Sequence, residues 1–420
     1  MTYNTWQKNE LGKSLKLTSG FPFLSKLFST EDGFPLIRIR DIVGSKIETF
    51  YKGSFLPQYV IKSGDILIGM DGDFNISRWN NEDALLNQRV LKVEVNDPTS
   101  LSLDFIYYWL QPYIKKVNDL TAATTVKHLS VKDLYKASGT LPEVHTQQKI
   151  ATILSTIDTA IEKTEALITK YQQIKAGLMH DLFTRGVLPN GQLRPSHEQA
   201  PELYQETAIG WIPIEWEVKG IIELASVIDP NPSHRNPIYH EDGFPFISTV
   251  EFIEDDQVEV DTPRRVIEEI VIEQERRCKF SGDSIAFSRK GTIGSTRFLP
   301  NHLRFALLDS LCVINPTNIA PSFLFNMLRS ASIQKQTKNM TVGQALPQMS
   351  IGRVRELQIP TPQNPAEQAE IGARLTAVSN YISKNHAELK KLQKKKHGLM
   401  QDLLTGKVPV SVEEPEPAHE

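Results

Sequence analysis

Apolar residues recur at alternating steps of four and three along two stretches of the chain. In the first they fall at Ile150, Leu154, Ile157, Ile161, Ile168, Tyr171, Leu178 and Leu182. In the second they fall at Ile371, Leu375, Val378, Ile382, Leu389, Leu392, Leu399 and Leu403. This is a heptad seam, the period of one helix packed along another. The stretches align without a gap from Gln147/Gln368 to Val187/Val408, and Ile371 lies 221 residues after Ile150. The pattern predicts a first long helix within 142–187, starting between His145 and Gln147 and ending near Thr184, where Gly186 offers the left-handed C-terminal position. It predicts a second within 361–408, with Asn364 as cap, Pro365 at the first position and Glu367 reaching back. About 40 residues at ~1.5 Å each make a rod of roughly 60 Å.

Elsewhere the period shortens. Residues 1–141 mix β-like runs with one amphipathic helix. Gly33 to Arg40 alternates Arg38 and Arg40 with apolar neighbours, as a half-buried strand does. Ser63-Gly64-Asp65 reads as a turn feeding a strand Ile66–Met70, and Asp71-Gly72-Asp73 as another turn. A further strand is expected over 86–95, and a helix at 104–110 with Asp104 as cap. A polar linker, 188–206, follows the first long helix. Residues 207–360 then repeat the first stretch in order. Trp216 and Gly243-Phe244-Pro245 lie 210 residues after Trp6 and Gly33-Phe34-Pro35, Ser281-Gly282-Asp283 lies 218 after Ser63-Gly64-Asp65, and Ala306–Asp309 lies 222 after Ala84–Asn87. The shared order points to a tandem duplication and an α+β chain in which two globular domains alternate with two long helices. The tail, 409–420, is acidic and Pro-rich, and disorder is expected there.

Composition changes this picture little. At 420 residues, 40% hydrophobic and 23% charged, the chain reads as an ordinary multidomain protein. Its polar start lacks a signal-peptide core and its apolar runs are short, so a cytoplasmic location is expected, with no membrane partner. Cys278 and Cys312 are too few for a disulfide framework or a zinc site. Charge is more informative by segment. Residues 1–141 carry 17 Lys+Arg and 15 Asp+Glu, 188–360 carry 17 against 22, and 361–408 carry 8 against 4. A nucleic-acid contact would need local basic patches, because the overall field offers little steering.

Catalytic signatures are missing: there is no Walker A loop, HExxH, CxxC or GxSxG. Asp71, Asp73, Asn75, Ser77 and Glu82 have calcium-loop spacing, but Ile76 stands where the sharp turn needs glycine. The strongest basic patch is Ser288-Arg289-Lys290-Gly291-Thr292-Ile293-Gly294-Ser295-Thr296-Arg297. There, glycines and small hydroxyl residues would expose backbone N–H groups between cations, which suits phosphates or base edges. Ser288, Arg289, Lys290, Thr292, Ser295 and Arg297 are thus candidates for binding DNA. In the first domain the analogous candidates are Arg38, Arg40, Asn75, Arg78, Gln88 and Arg89, since Arg, Asn and Gln can read guanine or adenine bidentately.

The chain resembles the specificity subunit of Type I restriction-modification enzymes over nearly its whole length to Val408. Ile209-Gly210-Trp211-Ile212-Pro213 with Trp216-Glu217-Val218 looks like the opening of that family's second recognition domain. Gly64–Ile68 and Gly291–Gly294 look like its turn-strand motifs. Pro142 with Gln147–Ile150, and Pro362 with Glu367-Gln368, look like its helix starts. Gly177-Leu178-Met179 and its second-copy partner look like its helix ends. The resemblance implies two tandem α/β target-recognition domains alternating with two long helices, packed as an antiparallel coiled coil with pseudo-twofold symmetry. It implies a non-catalytic reader of double-stranded DNA, each domain reading one half of a bipartite target. The helices would space the halves and seat two modification (methyltransferase) subunits, with restriction (motor/nuclease) subunits joining them. No cofactor would bind this chain; S-adenosylmethionine, ATP and Mg would sit on the partners. The competing expectation from the residues is a coiled-coil scaffold whose globular domains bind proteins.

The seam also predicts a register. Thr164 and Asn385 occupy core position a, and Lys175 and Lys396 position d. In an antiparallel pair, one register sets Thr164 against Lys396, Asn385 against Lys175, and Tyr171 against Leu389. Slipping by a heptad would place Lys396 against Ile157, burying a charge without a partner.

Overall fold

The computed structural model describes residues 6–44, 46–121, 127–232, 237–343 and 347–411; most of the acidic tail lies outside them. The chain forms two compact units, Met1–Lys163 with Lys390–Glu420, and Thr164–Leu389.

In the first unit the buried run Ile66–Gly69 is one of the two inner strands of a four-stranded antiparallel sheet, ordered Leu15–Ser19, Val90–Val95, Ile66–Gly69, Ile76–Arg78. Helix Leu103–Leu120 buries Phe105, Ile106, Tyr108, Leu110 and Ile114. Its cap is Ser102, whose Oγ accepts from the Phe105 amide, not Asp104. A second sheet holds the strands Phe34–Ile37 and Ala84–Leu86, paired in parallel. Two expected strands are shorter than the alternation implied. The strand from Gly33 stops at Ile37, because the Asp41 carboxylate accepts the Arg38 N–H at 2.8 Å and turns the chain into a short 3-10 segment, Ile39–Asp41. The strand over 86–95 is broken at Asn87–Arg89, a turn closed by Val90 N–H donating to the Asn87 carbonyl at 2.9 Å.

The second unit repeats this plan. Its four-stranded sheet is ordered Ala225–Ile228, Leu311–Pro316, Ile285–Ser288, Thr296–Phe298, and Phe244–Ile247 pairs in parallel with Ala306–Leu307. Even isolated bridges correspond: Asp71 with His128 in the first unit, Lys290 with Gln348 in the second. Helices Pro321–Met327 and Ala331–Met340 stand where the first unit has one helix. The linker region is more ordered than its composition suggests, since Tyr204–Thr207 pairs with Gly210–Pro213.

The long helices run Val144–Arg185 and Pro365–Leu403, and each contributes to both units. Ile150, Leu154 and Leu403 belong to the core around Leu11 and Phe105. Leu182, Ile371 and Leu375 belong to the core around Trp216 and Phe323. A glutamine fastens each helix start to its own domain. Gln147 accepts from Ser102 N–H at 2.8 Å and donates to the Pro142 carbonyl at 2.9 Å. Gln368 accepts from Ala320 N–H at 3.1 Å and donates to the Pro362 carbonyl at 2.9 Å.

The register differs from the expected one by about a heptad. In the second unit the rings of Tyr171 and Tyr381 lie 4.1 Å apart, so Tyr171 meets Tyr381 and not Leu389, about two helical turns away. In the first unit Lys396 Nζ lies 2.6 Å from Asp158. Asp158 also accepts from the Tyr108 hydroxyl at 2.8 Å. The objection to the slipped register fails because Asp158, the neighbour of Ile157, supplies the counter-ion. Lys175 finds Asp256 at 3.6 Å, and Asn385 donates to the Tyr381 carbonyl of its own helix. The layers proposed for Thr164 with Lys396 and Asn385 with Lys175 therefore do not set the register.

Asn364 caps the second helix, accepting from Ala366 N–H at 3.0 Å, but Glu367 does not reach back to it. Its Oε1 accepts from Val187 N–H at 2.8 Å and Trp216 Nε1–H at 3.1 Å, and its carboxylate pairs with Arg194. Gly186 sits against this group with φ +65°, and a Cβ there would lie 2.3 Å from Glu367 Oε1. Gly186→Ala should therefore cost about 1–3 kcal/mol from the backbone conformation alone, more with the clash, read as a lower midpoint in urea. A midpoint equal to wild type would show that the site relaxes freely.

Candidate nucleic-acid interface

The parallel pairs decide where the candidate residues meet. In the first unit Leu36 lies beside Leu85 and Ile37 beside Leu86, so both strands leave the sheet at the same edge. Arg38, Ile39 and Arg40 continue one strand, and Asn87, Gln88 and Arg89 the other. Arg38, Arg40, Gln88 and Arg89 are all exposed. Arg38 and Arg40, with Lys46, line an open cleft of about 890 Å³. Arg38 makes no ion pair among the described residues. Arg40 lies 3.5 Å from the buried Asp41 and 3.4 Å from the exposed Glu48, and the second contact, at the surface, contributes little and exchanges readily for another anion. Asp71 orients Arg89 at 2.8 Å and takes His128 Nδ1 at 2.7 Å, so this carboxylate serves neighbouring side chains and the calcium-like spacing has another use. Asn75 is exposed on the same turn. Arg78 is turned elsewhere: it pairs with Asp104 at 2.6 Å and lies over the Tyr107 ring.

In the second unit the equivalent edge follows Ile247 and Leu307. Ser248 starts a 3-10 turn, closed by Glu251 accepting its N–H at 2.8 Å, that leaves Thr249 and Val250 outermost; Val250 is 76% exposed. The loop Lys290-Gly291-Thr292 reaches the same place, since a Cβ at Gly291 would lie 3.5 Å from Thr249 Oγ1. Lys290 pairs with Asp309 at 2.5 Å and Thr292 is exposed.

This loop is not the open anion cradle its composition suggested. Its amides are used internally: Ser288 N–H donates to the Ser295 carbonyl at 2.8 Å, Gly294 N–H to Ser288 at 2.9 Å, and Ile293 N–H to Gly291 at 3.0 Å. Ser288 and Arg289 are buried, with Arg289 3.5 Å from Asp229. Arg297 is held by the Ile253 and Gln257 carbonyls at 2.7 and 3.2 Å and lies over the Phe252 ring. Ser288 and Arg289 are therefore buried and Arg297 is tied down by internal partners, while Lys290, Thr292 and the half-buried Ser295 remain. Thr249 and Val250, in contrast, carry no sequence signal as site residues; only the parallel pairing brings them to the edge.

A family model for the Type I restriction modification DNA specificity domain matches residues 3–173 and again 213–394, one copy in each repeat. The chain belongs to that family. Among its specificity-subunit relatives, the EcoBI specificity subunit of Escherichia coli is 27% identical over 415 residues, covering 96% of this chain and 85% of that one. The MjaVIII specificity subunit of Methanocaldococcus jannaschii is 24% identical, covering 96% and 93%. The fold is that of the crystal structure of a Type I system S subunit from M. genitalium, with a TM-score of 0.63 at 17% identity, covering 96% of this chain and 99% of that one. Among the described residues no helix is long and apolar enough to cross a membrane.

Proposed function

We propose that this chain is the DNA-specificity subunit of a Type I restriction-modification system, and that each globular domain reads one half of a bipartite target. One observation carries the reading. The two domains present the same sheet edge with different side chains: Arg38, Arg40, Gln88 and Arg89 in one, and Thr249, Val250, Lys290 and Thr292 in the other. A common scaffold with two side-chain sets suits two unlike half-sites, because base edges are distinguished by donor and acceptor pattern. The chain recognises and does not catalyse. Its long helices space the half-sites and seat two modification subunits, which bring S-adenosylmethionine; restriction subunits bring ATP and Mg.

Methylation-sensitive sequencing of host DNA, with and without this gene and with an active modification partner, tests the proposal. The expected result is adenine methylation at one split motif that disappears with the gene. No change at any motif would sink it. Within the motif, Arg38→Ala and Gln88→Ala should relax one half only, each bidentate pairing with a base being worth about 1–3 kcal/mol. Relaxation of both halves together would exclude the assignment of one domain to one half.

A further inference from the structure

The turn that follows the parallel pair is built alike in both units. Ile37 and Ile247 are the last paired residues of their strands, beside Leu86 and Leu307. Each strand then passes into one 3-10 segment, Ile39–Asp41 in the first unit and Thr249–Glu251 in the second. A carboxylate closes both turns at the same distance: Asp41 accepts from Arg38 N–H and Glu251 from Ser248 N–H, each at 2.8 Å. Arg40 and Val250 therefore hold the same position, the middle of the turn. Both project to solvent, with the Arg40 side chain 55% and Val250 76% exposed.

The second turn is the more firmly held. Glu251 is buried, accepts from the Ser248 and Thr262 hydroxyls at 3.0 Å, and is paired with Arg264. The Ser248 hydroxyl in turn accepts the Val250 N–H at 3.2 Å. These bonds fix the direction of a side chain that has no polar atom of its own. A single exposed valine is common on a protein surface. This one stands where the duplicate domain places a cation, on the edge that also carries Lys290 and Thr292.

On the DNA-reading role proposed above, we infer that this turn position selects one base in each half-site from the major groove: Val250 packs against the 5-methyl group of a thymine, and Arg40 reads a guanine. The thymine methyl is the apolar feature that base pairs show in that groove, and guanine O6 and N7 form an acceptor pair that a guanidinium matches. A valine side chain neither donates nor accepts, so apolar contact is all that it offers a base edge. Arg40 is placed for the polar alternative. Asp41 lies 3.5 Å from its Nε, on the stem side of the fork, and the exposed Glu48 is a surface partner that base acceptors replace at little cost. The half-site of the first domain therefore contains a guanine, and that of the second a thymine.

The test uses the complex with its modification subunits and measures binding to the split-motif duplex and to a random duplex. In the motif each thymine is replaced in turn by deoxyuridine, which lacks only the 5-methyl group, and each guanine by 7-deazaguanine, which lacks the N7 acceptor. At one thymine, deoxyuridine should weaken wild-type binding about fourfold, the worth of one buried methyl group. Val250→Ala should weaken binding to the unmodified duplex by about the same factor, and should be indifferent to deoxyuridine at that thymine alone. At one guanine of the other half, 7-deazaguanine should weaken wild type roughly tenfold, as for a hydrogen bond to a charged group. Arg40→Ala should be indifferent to the change there. Val250 is exposed, so its alanine variant should melt with wild type, which separates weaker binding from loss of fold. A Val250→Ala complex that still senses every thymine methyl overturns the valine contact, as does a motif with no thymine in one half and guanine in the other. Sensitivity to 7-deazaguanine that survives Arg40→Ala overturns the arginine contact. If the wild-type complex does not prefer the split motif over random DNA, the DNA-reading role falls first and both contacts with it. If wild type prefers the motif but senses neither a thymine methyl nor a guanine N7, the two contacts alone are wrong.

Discussion

Glu367→Ala should destabilise the second unit by about 3–5 kcal/mol, because removing one partner of a buried ion pair leaves the other charge uncompensated. The Arg194 and Glu367 side chains are 5% and 6% exposed. Without Glu367, the guanidinium keeps only Glu215, whose side chain is 62% exposed, and the Arg185 carbonyl at 3.2 Å. Two further donors are left without their acceptor: Val187 N–H and Trp216 Nε1–H, the latter on a fully buried ring. Glu215 keeps part of the charge compensation, which puts the expected effect nearer the lower end. Glu367→Gln retains an acceptor oxygen for the tryptophan and the amide, and should cost less than the alanine. Urea unfolding followed by tryptophan fluorescence reads both variants, since Trp216 is the reporter beside the change. A cost below about 1 kcal/mol for the alanine, on the surface ion-pair scale, would mean that this buried group is not what joins the end of one long helix to the start of the other.

Asp256→Ala is the second large effect. Asp255 and Asp256 both adopt the left-handed region, with φ of 61° and 59°, which costs each non-glycine residue on the order of 1 kcal/mol or more. The neighbourhood explains why the strain persists. Asp256 meets Arg329 at 2.7 Å, Lys175 at 3.6 Å and Arg297 at 4.0 Å, and Asp255 pairs with His386. One loop of the second domain is thereby tied to both long helices. Burial alone would raise the Asp256 pKa, but the Arg329 hydrogen bond and the charges of Arg329, Lys175 and Arg297 outweigh it and hold the carboxyl below its ordinary value. A depressed carboxylate pKa contributes stability that is present above the unfolded value and lost as pH falls through the folded one. Wild type should therefore exceed Asp256→Asn by a constant margin from about pH 5 to 8, and the margin should close below about pH 4. Asp256→Ala should cost about 3–5 kcal/mol near neutrality, since it leaves the partly buried Lys175 and Arg297 without their counter-ion. A margin that stays open in acid would show that the aspartate acts by shape and not by charge.

Several elements are legible without coordinates because their causes are local. The heptad seam from Ile150 to Leu182, the Asn364-Pro365 helix start and the left-handed position at Gly186 each depend on a few consecutive residues. The buried strand Ile66–Gly69 announces itself by its unbroken apolar run. Where a local rule competes with a distant partner, the local reading fails. Glu367 has the spacing of a capping box, but the buried Arg194 and Trp216 take its carboxylate. Arg38 alternates as a strand residue, but Asp41 turns the chain at that point. The Ser288–Arg297 loop has the composition of an anion cradle, but its amides bond across the loop and Arg289 and Arg297 fold inward. The register fails for the same reason. Lys396 against Ile157 is a bare buried charge when only the seam is considered, and a paired one once Asp158 is seen beside it.

The sequence by itself determines that the chain is a tandem repeat, with two β-rich domains and two matched heptad helices, because periodicity and duplication are properties of residue order. Tertiary structure alone decides which side chains form the reading edge. Arg38 and Gln88 are far apart along the chain and share no periodicity, and they come to the same sheet edge only because Leu36 and Ile37 pair in parallel with Leu85 and Leu86. A parallel pairing leaves no local signature, since its hydrogen bonds join strands that no short turn connects.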